Sequence, residues 1–280
     1  MSICIVTDSC ADLPEEIVNS TKNLTVAPLI AVFGDKTYRD GVDIKPPDFY
    51  KLQAQSKELP STGMVTPGYF TDLFAGLLKE YDAVIALLFS SKLSGTYNSA
   101  LAAKDGFPGK DITVVDSRGG TLGEGLMALR AARMAGQGAS KVEILKELDR
   151  MVSGMQYMLV LGTLDYLHKG GRLSASQKII GNILNIKPIL NLVDGEIKVI
   201  DRARGKKKAF QWIVDYIKGL DIDLKGQTIG INHTNCVEDA DELERLIREN
   251  FKVGELIRSQ VGAVVGTHAG PDALGIYFVK

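Results

Sequence analysis

Cysteine is scarce: Cys4, Cys10 and Cys236 are the three in 280 residues, and no two form a C-x-x-C pair. That pattern argues against a disulfide framework and against a structural zinc site. No run of about 18 uncharged apolar residues occurs, so no transmembrane helix is expected. The opening residues, MSICIVTDS, lack the basic segment and long apolar stretch of a secretory signal. Neither sign of charge is in excess, since 33 basic and 34 acidic residues leave a net charge of −1. No global field then favours nucleic acid, although a local patch can still attract a charged partner. The sequence also has no GxxxxGK[ST] loop, no GxGxxG opening the first helix and no HExxH cluster, so nucleotide and metal chemistry lack their usual devices. The expectation is a soluble cytoplasmic protein with no metal, no cofactor and no nucleic-acid partner.

What is present is ordinary globular material, 45% hydrophobic and 24% charged, enough for two domains or one large one. Apolar runs at 3–8, 24–33, 83–89 and 111–117 read as strands, and amphipathic stretches at 68–81 and 123–136 read as helices. Asp12, with Glu15 three residues later, reads as an N-cap opening a helix through DLPEEIV. Thr66 and Pro67 form a cap and first turn for the 68–81 helix. Alternation of this kind indicates a mostly parallel sheet covered by helices on both faces. Three strands end in small polar pairs, Asp8-Ser9, Ser90-Ser91 and Asp116-Ser117, and ligands favour that edge of such a sheet.

Beyond a helix at 143–155 the pattern changes. KPILNLVDGEIKVIDRARG reads as a hairpin turning at Asp194-Gly195, and QTIGINH and ALGIYFV supply strands around the helix VEDADELERLIREN. The fold class expected is α/β in two domains: a mostly parallel sheet flanked by helices over 1–155, and a mixed sheet over 156–280.

Several stretches carry groups suited to chemistry. SSKLSGTYNSA (90–100) sets Ser94, Gly95 and Thr96 at a strand-to-helix junction. Uncapped N–H groups, a glycine and hydroxyls there suit a phosphate, a carboxylate or a reacting acyl group. The commoner role for Ser94 is to cap its own helix. LPSTGMVTPGYF (59–70) places Ser61 and Thr62 in a similar loop. His268 lies in GTHAGPDALG, read as a rigid Gly/Pro turn, where an imidazole is well placed to meet a ligand. Arg172 follows the double glycine of HKGGRLS, where a solvated or salt-bridged arginine at a helix end is the simpler role. RARGKKK (202–208) gathers five cations, as a solvated run or as a docking surface for an acidic partner. A Ser94–His268 hydrolase stays open at this level, although KLSGT is not the GxSxG elbow.

Taken together, VTDSCADLP, PSTGMVTPGYF, SSKLSGTYNSA, VVDS, LDYLHKGGRL, IKPIL and GTHAGPDALG resemble, in order, the motifs of DegV proteins, from Ile3 to Phe278. The resemblance implies a non-enzymatic lipid carrier with one long-chain fatty acid held between two domains. It also implies a partner, a fatty acid kinase subunit that phosphorylates the bound carboxylate for phospholipid synthesis. Matched onto this chain, the carboxylate-binding residues are Thr62, Ser94 and His268, with Ser9, Gly95, Thr96 and Arg172 as supporting candidates. Arg202 and Arg204 are the candidates for docking the partner, or an anionic membrane surface during lipid exchange. Gly63-Met64-Val65-Thr66-Pro67 and Gly270-Pro271-Asp272 depart from the usual family pattern and bear on loop shape. The rival readings are an acyl hydrolase using Ser94 and His268, and a lipid-sensing regulatory protein.

Overall fold

The computed structural model describes residues 1–56, 58–173 and 185–280. In the first half, β1 (Ile3–Asp8) leads through a 3-10 turn to α1 (Glu15–Ser20) and β2 (Leu24–Ala27). The expected strand over 24–33 is two strands in different sheets. Pro28 has no amide hydrogen to continue the ladder, and β3 (Ile30–Phe33) leaves to pair antiparallel with β4 (Lys36–Arg39) and, beyond α2 (Pro46–Gln55), with β5 (Ser61–Gly63). The chain continues through α3 (Pro67–Leu77), β6 (Ala83–Leu88), α4 (Thr96–Lys104), β7 (Asp111–Asp116), α5 (Thr121–Gly136) and α6 (Lys141–Gly154). Strands β2-β1-β6-β7 form one parallel sheet in that order.

The second half runs β8 (Met155–Val160), α7 (Asp165–Lys169), β9 (Ile186–Val193), β10 (Glu196–Arg204), α8 (Lys206–Gly219), β11 (Thr228–His233), α9 (Val237–Asn250), β12 (Glu255–Gln260), α10 (Ala263–Ala269) and β13 (Leu274–Val279). Its six strands lie in the order β10-β9-β8-β13-β11-β12, with one parallel pair, β11 and β12. This is the mixed sheet that the sequence pattern predicts. The hairpin turns where expected: Asp194 and Gly195 have φ of 52° and 82°, as a two-residue turn of the primed type requires. Ser174, the last residue of the predicted HKGGRLS stretch, lies outside the described residues.

Helix α5 is packed between the two sheets. Leu122, Leu126 and Met127 share one core with Ile5 and Ile85 of the parallel sheet and with Tyr157 and Tyr277 of the mixed one. Alternation along β13 sends Tyr277 and Val279 to that core, and Ile276 and Phe278 to a second one. There they meet Phe210 and Ile213 of α8 and Leu243 and Ile247 of α9. Each such side chain, fully buried, contributes roughly 1.5–3 kcal/mol. A helix with apolar residues on two faces therefore joins the halves.

Two local expectations are corrected. Asp12 does not cap α1, which begins at Glu15 behind Pro14. It adopts φ 47°, is 7% exposed, and turns its carboxylate toward the second half. The GTHAG stretch is not a rigid turn, because Ala263–Ala269 form α10 and His268 stands in its last turn.

Candidate functional site

A cavity of about 310 Å³ opens between the halves, within the range usual for small-molecule sites. Leu159 and Leu192 line it from the mixed sheet, Leu161 from just beyond β8, Val264 and Val265 from α10, and Phe89 from just beyond β6. Most of the lining is apolar, and the polar groups are few and grouped.

Thr62, Ser94 and His268 all line this cavity. Thr62 sits in β5 opposite Ala31 of β3, so the small antiparallel sheet presents it. Its hydroxyl lies 2.9 Å from Nε2 of His268. Burial pushes the His268 imidazolium pKa down to about 4, and the positive charge of Arg172 acts in the same direction. The ring is therefore neutral at neutral pH. Its Nδ1 finds no hydrogen-bond partner among the described residues, and it packs directly on Gly170. A Cβ at Gly170 would stand 2.2 Å from Nδ1.

Ser94 accepts the N–H of Thr96 at 3.3 Å, and the two hydroxyls lie 3.0 Å apart. Thr96 is buried behind Ser94, where its oxygen also accepts the Val65 N–H at 3.4 Å. Gly95 lines the cavity beneath Met64, whose sulfur would sit 2.4 Å from a Cβ there. Arg172 lines the cavity as well. Its guanidinium donates to Gly170 O at 2.8 Å and Leu93 O at 3.2 Å, which ties the end of α7 to the Ser94 turn.

Ser9 is placed elsewhere. It does not line this cavity, and its Oγ accepts the Leu29 N–H at 3.1 Å. Ser90 and Ser91 serve the scaffold: Ser90 donates to Gly195 O at 2.8 Å, holding the hairpin tip, and Ser91 donates to Asp116 at 2.5 Å. Arg202 and Arg204 are exposed on the edge strand β10, with Ala203 buried between them. Lys206 does not extend a free positive field, because it pairs with Asp239 of α9.

Two carboxylates missed by sequence reasoning support the site. Asp40 accepts the N–H groups of Ala263 at 2.8 Å and Val264 at 3.2 Å, and Asp12 accepts that of Gly262 at 2.8 Å. The first half thereby caps the helix on which the second half carries His268. Both acids are held above the usual carboxylate range, chiefly by burial. No local pattern marks them, since their partners are more than 200 residues away.

Among the described residues no helix is long and apolar enough to cross a membrane. A model of the DegV family of uncharacterised proteins matches residues 2–280. A DegV domain-containing protein of Caldanaerobacter subterraneus subsp. tengcongensis is 48% identical over 276 residues, which cover 99% of this chain and 98% of the relative. Among solved structures, a fatty-acid-binding DegV family protein from Thermus thermophilus superposes with a TM-score of 0.91 at 32% identity, covering 99% of each chain. DegV of Bacillus subtilis, a fatty acid binding protein, gives 0.88 at 34% identity and covers 100% of each chain. Matched along its whole length in sequence and in architecture, the chain belongs to the DegV family.

Proposed function

We propose that this protein binds one long-chain fatty acid in the cavity between its halves, with the carboxylate at Thr62, Ser94 and His268. The observation that carries the reading is the hydroxyl–imidazole pair of Thr62 and His268 on the wall of a mostly apolar cavity. A neutral imidazole and two hydroxyls donate to a carboxylate without adding a formal charge, and Arg172 supplies positive potential nearby. Burying about fourteen methylenes at ~0.8 kcal/mol each gives a gross drive on the order of 11 kcal/mol. Immobilising a flexible chain offsets much of that. The tail then sets affinity, and the polar end sets orientation.

The protein acts here as a carrier that presents the carboxylate to a separate kinase subunit for acyl-phosphate formation. Arg202 and Arg204 are the docking candidates toward that partner or an anionic membrane surface. The hydrolase alternative is disfavoured by the hydrogen bonding, in which Ser94 faces Thr96 while His268 faces Thr62. A serine nucleophile needs its base within reach.

Organic extraction of the purified protein followed by mass spectrometry tests the reading. A long-chain fatty acid at one per chain is expected. Empty extracts, together with no uptake of added fatty acid in a calorimeter, would overturn it.

A further inference from the structure

The cavity has a second polar region, distinct from the Thr62–His268 end. Thr121, Asn232 and Tyr277 line it, from the start of α5, from β11 and from β13. Tyr277 and Asn232 are 0% and 2% exposed. The Tyr277 hydroxyl donates to Asn232 Oδ1 at 2.7 Å, and Asn232 Nδ2 donates to Asp12 Oδ2 at 3.3 Å. The amide is thus held at both ends, and the phenol oxygen keeps acceptor capacity toward the cavity.

Thr121 completes the group and is its least settled member. Its hydroxyl is buried without a hydrogen-bond partner among the described residues. It stands near enough to the phenol to oppose, as a weak hydrogen-bonding neighbour, the rise that burial imposes there, but the two hydroxyls do not meet ordinary hydrogen-bond geometry. Its backbone φ is +51°, in the left-handed region that β-branched residues rarely occupy. Glycine would take that conformation freely, so the backbone gives no reason for a threonine here. Strain of this sort is kept where a side chain has work to do.

The position of the group along a ligand follows from α10. Asn232 and the Gly262 N–H share the Asp12 carboxylate, so the amide lies beside the first turn of that helix. His268 lies six residues further on, roughly 9 Å at 1.5 Å per residue. This step rests on the carboxylate reading proposed above. A chain anchored at Thr62 and His268 then meets the polar group at its interior, well short of the end of a long acyl chain.

A plain methylene chain drawn across this wall leaves the Thr121 hydroxyl dry and without a well-formed hydrogen bond, which is unfavourable. A chain bearing an oxygen at that level supplies the missing partner. We infer that the cavity is suited to fatty acids oxygenated in mid-chain, such as monohydroxy acids, with Thr121 and Tyr277 hydrogen-bonding the oxygen.

Calorimetry on delipidated protein tests this with stearate and three monohydroxystearates, carrying the hydroxyl beside the carboxylate, at mid-chain or at the terminal methyl. The mid-chain isomer is expected to bind at least as tightly as stearate and about tenfold more tightly than the other two. Thr121→Gly, which also relieves the backbone strain, should shift the ratio of the mid-chain and stearate dissociation constants by about tenfold, and Thr121→Ser should retain it. If stearate binds but the mid-chain isomer is tenfold weaker, or if Thr121→Gly leaves the ratio unmoved, the oxygen-binding assignment is overturned while the fatty-acid reading stands. If none of the four acids binds, both fall.

Discussion

The Thr62 hydroxyl and the His268 imidazole meet at 2.9 Å across 206 residues of chain. One comes from a three-residue strand of the first half, the other from a seven-residue helix of the second. The pair exists only when the halves are together, and it joins them at the cavity wall.

If both groups hold one carboxylate, Thr62→Val and His268→Gln should each weaken fatty-acid binding by roughly tenfold, the worth of a hydrogen bond to a charged group. Because the two touch, the double mutant should lose less than the product of the single losses. Titration calorimetry on all four proteins measures this. Two unaffected single mutants would remove the carboxylate from this position.

Gly170→Ala is expected to disturb the same site from behind. The new methyl would stand 2.2 Å from His268 Nδ1 and 3.0 Å from Tyr166 O, so the imidazole is the group free to move. Affinity should fall about as far as in His268→Gln, and combining the two changes should add little. Independent, multiplying losses would show that Gly170 acts through something other than the imidazole.

The free protein's His268 should titrate near pH 4, as followed by its ring proton resonances. Its folded pKa lies below the unfolded value of 6.5, so the native state binds fewer protons between those limits. The associated stability is present above pH 6.5 and is lost as pH falls toward 4, by up to about 3 kcal/mol. Asp8 works in the opposite sense: burial raises it to about 6, so its contribution declines as pH rises from 3.8 through that value. Denaturant unfolding of His268→Gln against the parent at pH 7 and pH 4.5 isolates the histidine part. A bound carboxylate should raise the imidazole pKa, and an unchanged titration in saturating stearate would place the anion elsewhere.

Asp40→Ala should destabilise the protein by about 3 kcal/mol, since it strands two buried N–H groups at the start of α10. Fatty-acid dissociation should also become faster, because the helix carrying His268 loses its seat. Urea unfolding and stopped-flow release read the two effects. A stability loss without any change in release would confine Asp40 to the scaffold.

If Arg202 and Arg204 dock the proposed kinase subunit, Arg202→Glu combined with Arg204→Glu should leave lipid binding intact and slow acyl-phosphate formation, with the parent more salt-sensitive than the variant. Parallel assays of binding, phosphoryl transfer and vesicle exchange at two salt concentrations distinguish the partners. Unchanged rates in both transfer assays would make the two arginines ordinary solvated cations.

Much of the fold is written locally. The period of apolar residues marks the parallel strands, Thr66 caps α3 through the Tyr69 N–H, and α9 spans Val237–Asn250 as its pattern predicts. The stretches holding Thr62, Ser94 and His268 are also visible in the sequence, through their resemblance to family motifs. Spacing along the chain says nothing of Thr121, Asn232 and Tyr277, which three separate elements bring to one wall. Nor does it show that GTHAG is helical. With a glycine and three β-branched residues, a seven-residue segment has little propensity of its own. It is held as a helix by Asp12 and Asp40, whose carboxylates satisfy its first N–H groups from the other half of the molecule. Patterns of burial and turn chemistry act between near neighbours and can be read from sequence alone. The capping of α10 acts over more than 200 residues, and so only the packed structure could decide where His268 points.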